Sequence, residues 1–234
     1  MNFSVIIPIL NESKNIEPLS KLLKKNLINV KFEIIFVDDN STDNSKKILE
    51  KIKSHNINYI IRRKKKDLTQ SCFEGILKSK YENLVIMDGD LQHRPECLKE
   101  MIKKYTTKNS VLLIGVRDFS KTNGLSFIRF LASKIIIIFI NTLLGNKTKD
   151  PMSGFFIIKK KLFLKLQPQL YGKGFKILAD LIYSQKNLRI HEYKISFKKR
   201  YKNISKMNII VLIHILLLII TKFYNKLFSN LFKL

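Results

Sequence analysis

Asp88 and Asp90 flank Gly89 where an apolar run ends, in the stretch Val85-Ile86-Met87-Asp88-Gly89-Asp90-Leu91-Gln92-His93. Two carboxylates this close repel each other and raise each other's pKa unless positive charge lies between them. A hard divalent cation, Mg²⁺ or Mn²⁺, takes oxygen ligands, so Asp88 and Asp90 can share one, with the Gln92 amide oxygen as a third ligand. An ion held by so few protein groups takes its other oxygens from elsewhere, and a diphosphate supplies them well. Acidic pairs are common in surface turns, so the weight of this one depends on what stands around it.

The surrounding elements give it that weight. Continuous apolar runs of strand length at Phe3–Leu10, Phe32–Val37, Ile57–Ile61 and Asn83–Met87 alternate with helical patterns. Those helices are expected from Ser13 to about Leu27, from about Asp43 to Lys53 and from Thr69 to Lys80. Such alternation predicts an α/β fold, a Rossmann-like doubly wound and mostly parallel sheet. Ligands of such sheets sit beyond the carboxyl ends of the strands. Three polar sets fall there: Pro8 to Glu12, Asp38-Asp39, and Asp88 to Gln92. A further helix is expected after Pro95, and a strand Val111–Val116 ending at Arg117. A turn at Asp150-Pro151-Met152-Ser153-Gly154-Phe155-Phe156 leads into a short strand, followed by a helix Lys173–Gln185 and a strand Arg189–Phe197.

The 234 residues suit one such domain of about 1–206 with a tail at 207–234, and 45% hydrophobic content suffices for a core. Lys and Arg number 44 against 18 Asp and Glu, a formal charge of +26. That excess favours phosphates or an anionic membrane surface, although a chain rich in Lys, Asn and Ile carries much of it as composition. Trp is absent and no aromatic-rich basic motif occurs, so a nucleic-acid partner is not expected. Cys72 and Cys97 lie in no metal-like spacing and read as packing residues of a reducing compartment. The chain enters an apolar strand almost at once with no basic leader pattern, so the catalytic part is expected on the cytoplasmic face of a membrane.

The membrane expectation comes from the tail. Met207–Thr221 is the most hydrophobic window, with Lys222, Lys226 and Lys233 following among Phe, Tyr and Leu. This reads as an interfacial or tilted single-pass anchor, with the lysines at the headgroups. Leu125–Leu144 is a second apolar stretch, broken by Arg129, Ser133, Lys134 and Asn141.

IPILNESKNI, VDDNSTDNS, MDGDLQHRPE and the SGF segment together resemble the family 2 glycosyltransferases of the GT-A fold. SFKKRYKNISK, with Arg200 and Lys206 in an Arg-x5-Lys spacing, is similar to the dolichol-phosphate mannose synthase group within them. The resemblance implies that Pro8, Leu10, Glu12, Val37 and Asp39 cradle the nucleoside of a nucleotide-sugar donor. It implies that Asp88, Gly89 and Asp90 hold metal and diphosphate, and that Arg117, Arg200 and Lys206 are the phosphate-binding cations. Region 125–145 is then expected to lie at the membrane and admit a polyprenyl-phosphate acceptor. The chain departs from the family at Leu10 (usually Tyr), Asp67 (usually Gly) and Asp180 (usually Glu).

The implied reaction is inverting transfer of a hexose, mannose from GDP-mannose, to polyprenyl or dolichyl phosphate. The acceptor oxygen is already ionised, so no strong general base is needed, but neutralising cations are. The rivals are a UDP-sugar transferase acting on undecaprenyl phosphate or a surface polysaccharide, and an inactive membrane-bound scaffold. His93 reads as a turn residue and His214 as a polar residue tolerated in the tail.

Overall fold

Apolar runs without alternation become strands buried on both faces, because no polar side is left for water. The computed structural model, which describes residues 1–118, 127–196 and 209–231, forms them as expected. β1 (Asn2–Ile9), β2 (Lys31–Asp38), β3 (Ile57–Ile61) and β4 (Asn83–Ile86) are parallel neighbours, and Pro8 of β1 stands opposite Val37 of β2. The sheet has seven strands in the order β3-β2-β1-β4-β6-β5-β7, completed by β5 (Leu112–Arg117), β6 (Phe156–Lys159) and β7 (Ile190–Ile195). β6 is antiparallel to both of its neighbours, while β5 and β7 pair in parallel. The sheet is therefore mostly parallel, as the alternation predicts, with one reversed strand.

Helices cover both faces. α1 (Ser13–Asn26), α2 (Ser45–Ile52) and α4 (Cys97–Thr107) bury Leu19, Leu49 and Met101 on one face. α3 (Leu68–Lys78), α6 (Lys160–Leu166) and α7 (Ile177–Tyr183) bury Ile76, Phe163 and Leu181 on the other. The expected helix at Lys173–Gln185 is shorter because Gly172 and Gly174 adopt positive φ of 69° and 88°, which keeps that segment a turn. The segment Asn11-Glu12-Ser13 does not cap α1 with its own side chains. Instead Asp43 reaches across, its Oδ2 accepting from Ser13 N at 3.0 Å and its Oδ1 from Ser45 N at 2.9 Å. One carboxylate thus braces the starts of α1 and α2 beside the β1 and β2 ends.

The two apolar stretches form α5 (Phe127–Leu144) and α8 (Ile209–Leu231). Ile137, Ile140 and Leu144 pack against Val211, Ile215 and Ile219. Within α8, Val211, Ile215, Leu218, Ile219 and Lys222 recur on one helical face and are buried. Leu212, Ile213, Leu216, Leu217 and Ile220 are exposed, as are Leu131, Ile135, Ile138 and Phe139 of α5. Ile210–Leu227 is long and apolar enough to cross a membrane by length and composition. The structure corrects one expectation: Lys222 is 3% exposed and does not reach outward to headgroups.

Candidate active site

β4 stops at Ile86, and the chain turns at Asp88-Gly89-Asp90 beside the end of β1. Gly89 is needed there, since a Cβ would stand 2.6 Å from Ile9 Cγ2. Leu91 follows with φ of 61°, an uncommon conformation for a branched side chain and one often found at functional turns. Gln92 N donates to Asp90 Oδ1 at 3.0 Å, so the acidic turn is fixed by its own backbone. The Asp88 carboxylate is 37% exposed, and its Oδ2 lies 3.2 Å from Nε2 of buried His93, whose ring packs on Phe155. His93 accordingly supports the turn.

The cleft above this turn is lined by Pro8, Glu12, Asp88, Gly89 and Asp90 of the expected set, together with Ser153, Gly154, Lys176 and Val211. Gly154 explains the SGF segment, because a Cβ there would overlap the Asp88 carboxylate. Gly154→Ala is therefore expected to push Asp88 aside and weaken nucleotide binding at least ~10-fold. Calorimetric titration with the nucleotide measures this, and unchanged affinity would refute the close packing as a requirement.

Among the described residues, two groups build the cationic side. Arg117, at the end of β5, donates through Nε to Asp150 Oδ2 at 2.7 Å and through Nη2 to Asp150 Oδ1 at 2.8 Å. Burial opposes the Arg117 charge, but the Asp150 hydrogen bonds and the fields of Asp150 and Asp88 outweigh it and raise its pKa. Lys176 stands at the start of α7, its Nζ donating to Met152 O at 3.3 Å. Burial and then the Arg117 charge lower its pKa, opposed by Asp88 and Asp150. Asp88, Arg117, Asp150 and Lys176 thus form one mutually interacting cluster. Cys72 also lines the cleft; burial, then Asp88, Asp67 and Asp39, push its thiol pKa up, so it is a packing residue.

The nucleoside-side residues divide. Glu12 is buried and its Oε2 accepts from Asn15 Nδ2 at 2.6 Å. Leu10 follows the end of β1, and Val37 is fully buried in the core between β2 and α3. Asp39 is buried with one oxygen paired to Arg62 and the other accepting from Asp67 N at 2.6 Å. Burial raises its pKa even against these partners. Arg200 and Lys206 lie outside the described residues.

Sequence reasoning gave no site role to Lys176, Asp150, Arg62 or Asp67. Arg62 hides in the basic run 62–66, although its place directly after β3 matches that of Asp39 directly after β2. Asp67, in place of the family's glycine, caps α3 by accepting from Gln70 N at 3.0 Å, and its other oxygen accepts from Gly174 N at 2.7 Å. For Lys176 the available signal was a cation two residues after Gly174, at the start of the helix that follows the turn.

Among the described residues no group of three or more His, Cys, Asp or Glu forms a metal cage. Two carboxylates with an amide nearby still suit a hard cation that shares its shell with a ligand's oxygens. The open Asp88 and the buried Asp90 fit that description.

The sheet order, with one reversed strand among the described residues, and the acidic turn at the end of β4 are those of a GT-A-type fold. The solved structure of glucosyl-3-phosphoglycerate synthase from Mycobacterium tuberculosis, in complex with Mn²⁺, UDP-glucose and phosphoglyceric acid, shares this fold. Its TM-score is 0.72 at 14% identity, over 95% of this chain and 79% of that one. A profile of glycosyl transferase family 2 matches residues 4–167, and the chain belongs to that family. A dolichol-phosphate mannosyltransferase of Pyrococcus furiosus is 34% identical over 213 residues, which is 88% of this chain and 59% of that protein. The dolichol-phosphate mannosyltransferase of Saccharomyces cerevisiae is 30% identical over 190 residues, 78% of this chain and 70% of that protein. The chain thus spans under two thirds of the Pyrococcus protein.

Proposed function

We propose that the chain is an inverting glycosyltransferase that moves mannose from GDP-mannose onto a polyprenyl phosphate. One observation carries this reading: Val211 of the apolar helix α8 lines the same cleft as Asp88 and Asp90. A site for a charged diphosphate therefore adjoins a surface suited to a lipid chain. The likeness to two dolichol-phosphate mannosyltransferases supports the donor and the acceptor.

In this reading Glu12 and the β1–β2 ends receive the nucleoside, and the diphosphate lies over Asp88-Gly89-Asp90. Asp88 and Asp90, with Gln92, would hold a Mg²⁺ or Mn²⁺, whose charge offsets that of the diphosphate; the Mn²⁺-bound fold neighbour agrees with this choice. Arg117 and Lys176 neutralise phosphate oxygens as the acceptor approaches, with Arg200 and Lys206 completing the set. Asp150 fixes the Arg117 guanidinium plane, so little reorganisation is needed when an anion enters. A phosphate oxygen of the lipid attacks the anomeric carbon, and the bond from that carbon to the diphosphate oxygen breaks. The electron pair leaves with the nucleoside diphosphate, and the configuration inverts. The nucleophile carries no proton to remove, so the pair of buried His93 and Asp88 has no base role.

Incubation of the purified protein with Mn²⁺, a short polyprenyl phosphate and labelled GDP-mannose or UDP-glucose tests the proposal. Mannosyl lipid is the expected product. Transfer from UDP-glucose alone would overturn the donor, and no transfer from either would overturn the activity.

The exposed apolar faces of α5 and α8 support membrane attachment. Burial of one α8 face on the domain leaves the other, with its exposed apolar side chains, available to a bilayer surface, which supports an interfacial attachment. Leu216→Glu with Ile220→Glu should abolish flotation with anionic liposomes without lowering the melting temperature. Deleting the tail tests this less cleanly, since it also uncovers Ile137, Ile140 and Leu144.

A further inference from the structure

A lysine within an apolar helix needs partners, and Lys222 has three. Its Nζ lies 2.7 Å from Asp180 Oδ1 and donates to Gln169 O at 3.0 Å and Ser184 Oγ at 2.5 Å, matching the three N–H groups of an ammonium. The two charged side chains are only 2% and 1% exposed. Asp180 is equally committed. Its Oδ1 also accepts from Tyr171 N at 3.0 Å, and its Oδ2 accepts from Gly172 N at 2.8 Å. One buried carboxylate therefore ties α8 to the backbone of the glycine turn.

That turn leads straight into the cleft wall. Phe175 and Lys176 follow Gly174 and line the cleft. From the α3 side, Asp67 holds Gly174 N, Gln70 Nε2 donates to Gly172 O at 2.6 Å, and Thr69 N donates to Gly174 O at 3.0 Å. From the α8 side, the Tyr171 hydroxyl is 3.3 Å from His214 Nδ1, and a Cβ on Gly174 would stand 2.9 Å from the His214 Cβ. The turn is clamped between α3 and α8, and Asp180 is the one clamp that needs a balancing charge from the tail.

We propose that Lys222 is a positioning residue for the transfer reaction. Its ammonium balances and orients Asp180, Asp180 fixes the 171–174 turn, and the turn places Lys176 against Asp88 and Arg117. The tail helix is thereby a working part of the site as well as its attachment to lipid. This rests on the reading of the cleft as the sugar-transfer site.

The test uses the full chain in detergent micelles, where membrane attachment does not limit the rate. Kinetics with the nucleotide sugar are compared for wild type, Lys222→Met, and the double variant Lys222→Met/Asp180→Asn, with melting temperatures alongside. Lys222→Met leaves a buried carboxylate unbalanced and is expected to lose stability and ~10- to 100-fold in kcat/KM. The double variant removes both charges and should regain most of the melting temperature. Its kcat/KM should stay low, because an amide at 180 offers one acceptor oxygen to a turn that presents two N–H donors. If Lys222→Met does not fold, the double variant carries the test alone. Turnover that recovers together with stability would reduce Lys222 to a structural role and overturn the proposal. A wild-type protein inactive with every donor would remove the functional reading and this one with it, whereas an active wild type beside a fully active double variant removes only this one.

Discussion

Asp90→Asn is expected to abolish sugar transfer, by ~10³-fold or more, while leaving the fold intact. Asp90 is 7% exposed at the head of the cleft, and an asparagine keeps the oxygen that accepts from Gln92 N. The turn should therefore persist and the melting temperature hold. What disappears is one of the two negative charges able to retain a divalent cation beneath the diphosphate. The loss should appear in Mn²⁺-dependent nucleotide binding as well as in turnover, since both draw on the same charge. Near-normal turnover by the variant would overturn the assignment of Asp88 and Asp90 as a cation-holding pair. Loss of turnover with unchanged metal-dependent binding would move Asp90 from holding the donor to aligning it.

The candidate site was legible where polar residues coincide with strand ends. A short apolar run such as Asn83–Ile86 announces its own termination, so Asp88 and Asp90 could be placed at a carboxyl end from the sequence alone. Strand direction was less accessible. Phe156–Lys159 reads as a strand in either orientation, and its reversal depends on where the Asp150–Phe155 turn returns the chain. Residues that act through distant partners were hidden for a related reason. Lys176 is an ordinary cation until the fold brings it to Asp88, and Lys222 interrupts an apolar segment until Asp180 is placed opposite it. Exposure, too, escapes a one-dimensional reading: a lysine in an amphipathic helix points to headgroups only if no buried acid faces it.

Arg62 shows how much stability such a hidden pairing can hold. Its guanidinium side chain is 2% exposed and pairs with the 7% exposed Asp39 carboxylate, while Nε donates to Glu74 Oε1 at 3.1 Å. Nη1 also donates to Asp67 O at 3.3 Å and Ser71 Oγ at 3.3 Å, so one side chain joins the ends of β2 and β3 to α3. Arg62→Met is expected to destabilise the protein by ~3–5 kcal/mol, because it strands a buried carboxylate without its counter-charge. That is a large fraction of the stability of a typical domain. Its pH dependence has a definite sign. Burial already holds the Asp39 carboxyl above the ordinary range, with Arg62 pulling it down, so removal of Arg62 raises it further. A carboxyl whose folded-state pKa exceeds its unfolded value binds its proton more tightly when folded. It adds stability below the unfolded pKa and loses it as the pH rises through the folded one. The deficit of the variant against wild type should thus be largest at neutral pH and shrink under acid. Paired urea denaturation curves at neutral and mildly acidic pH measure it. A deficit independent of pH would mean that the lost packing of the Arg62 stem, and not the stranded Asp39 charge, is what destabilises the variant.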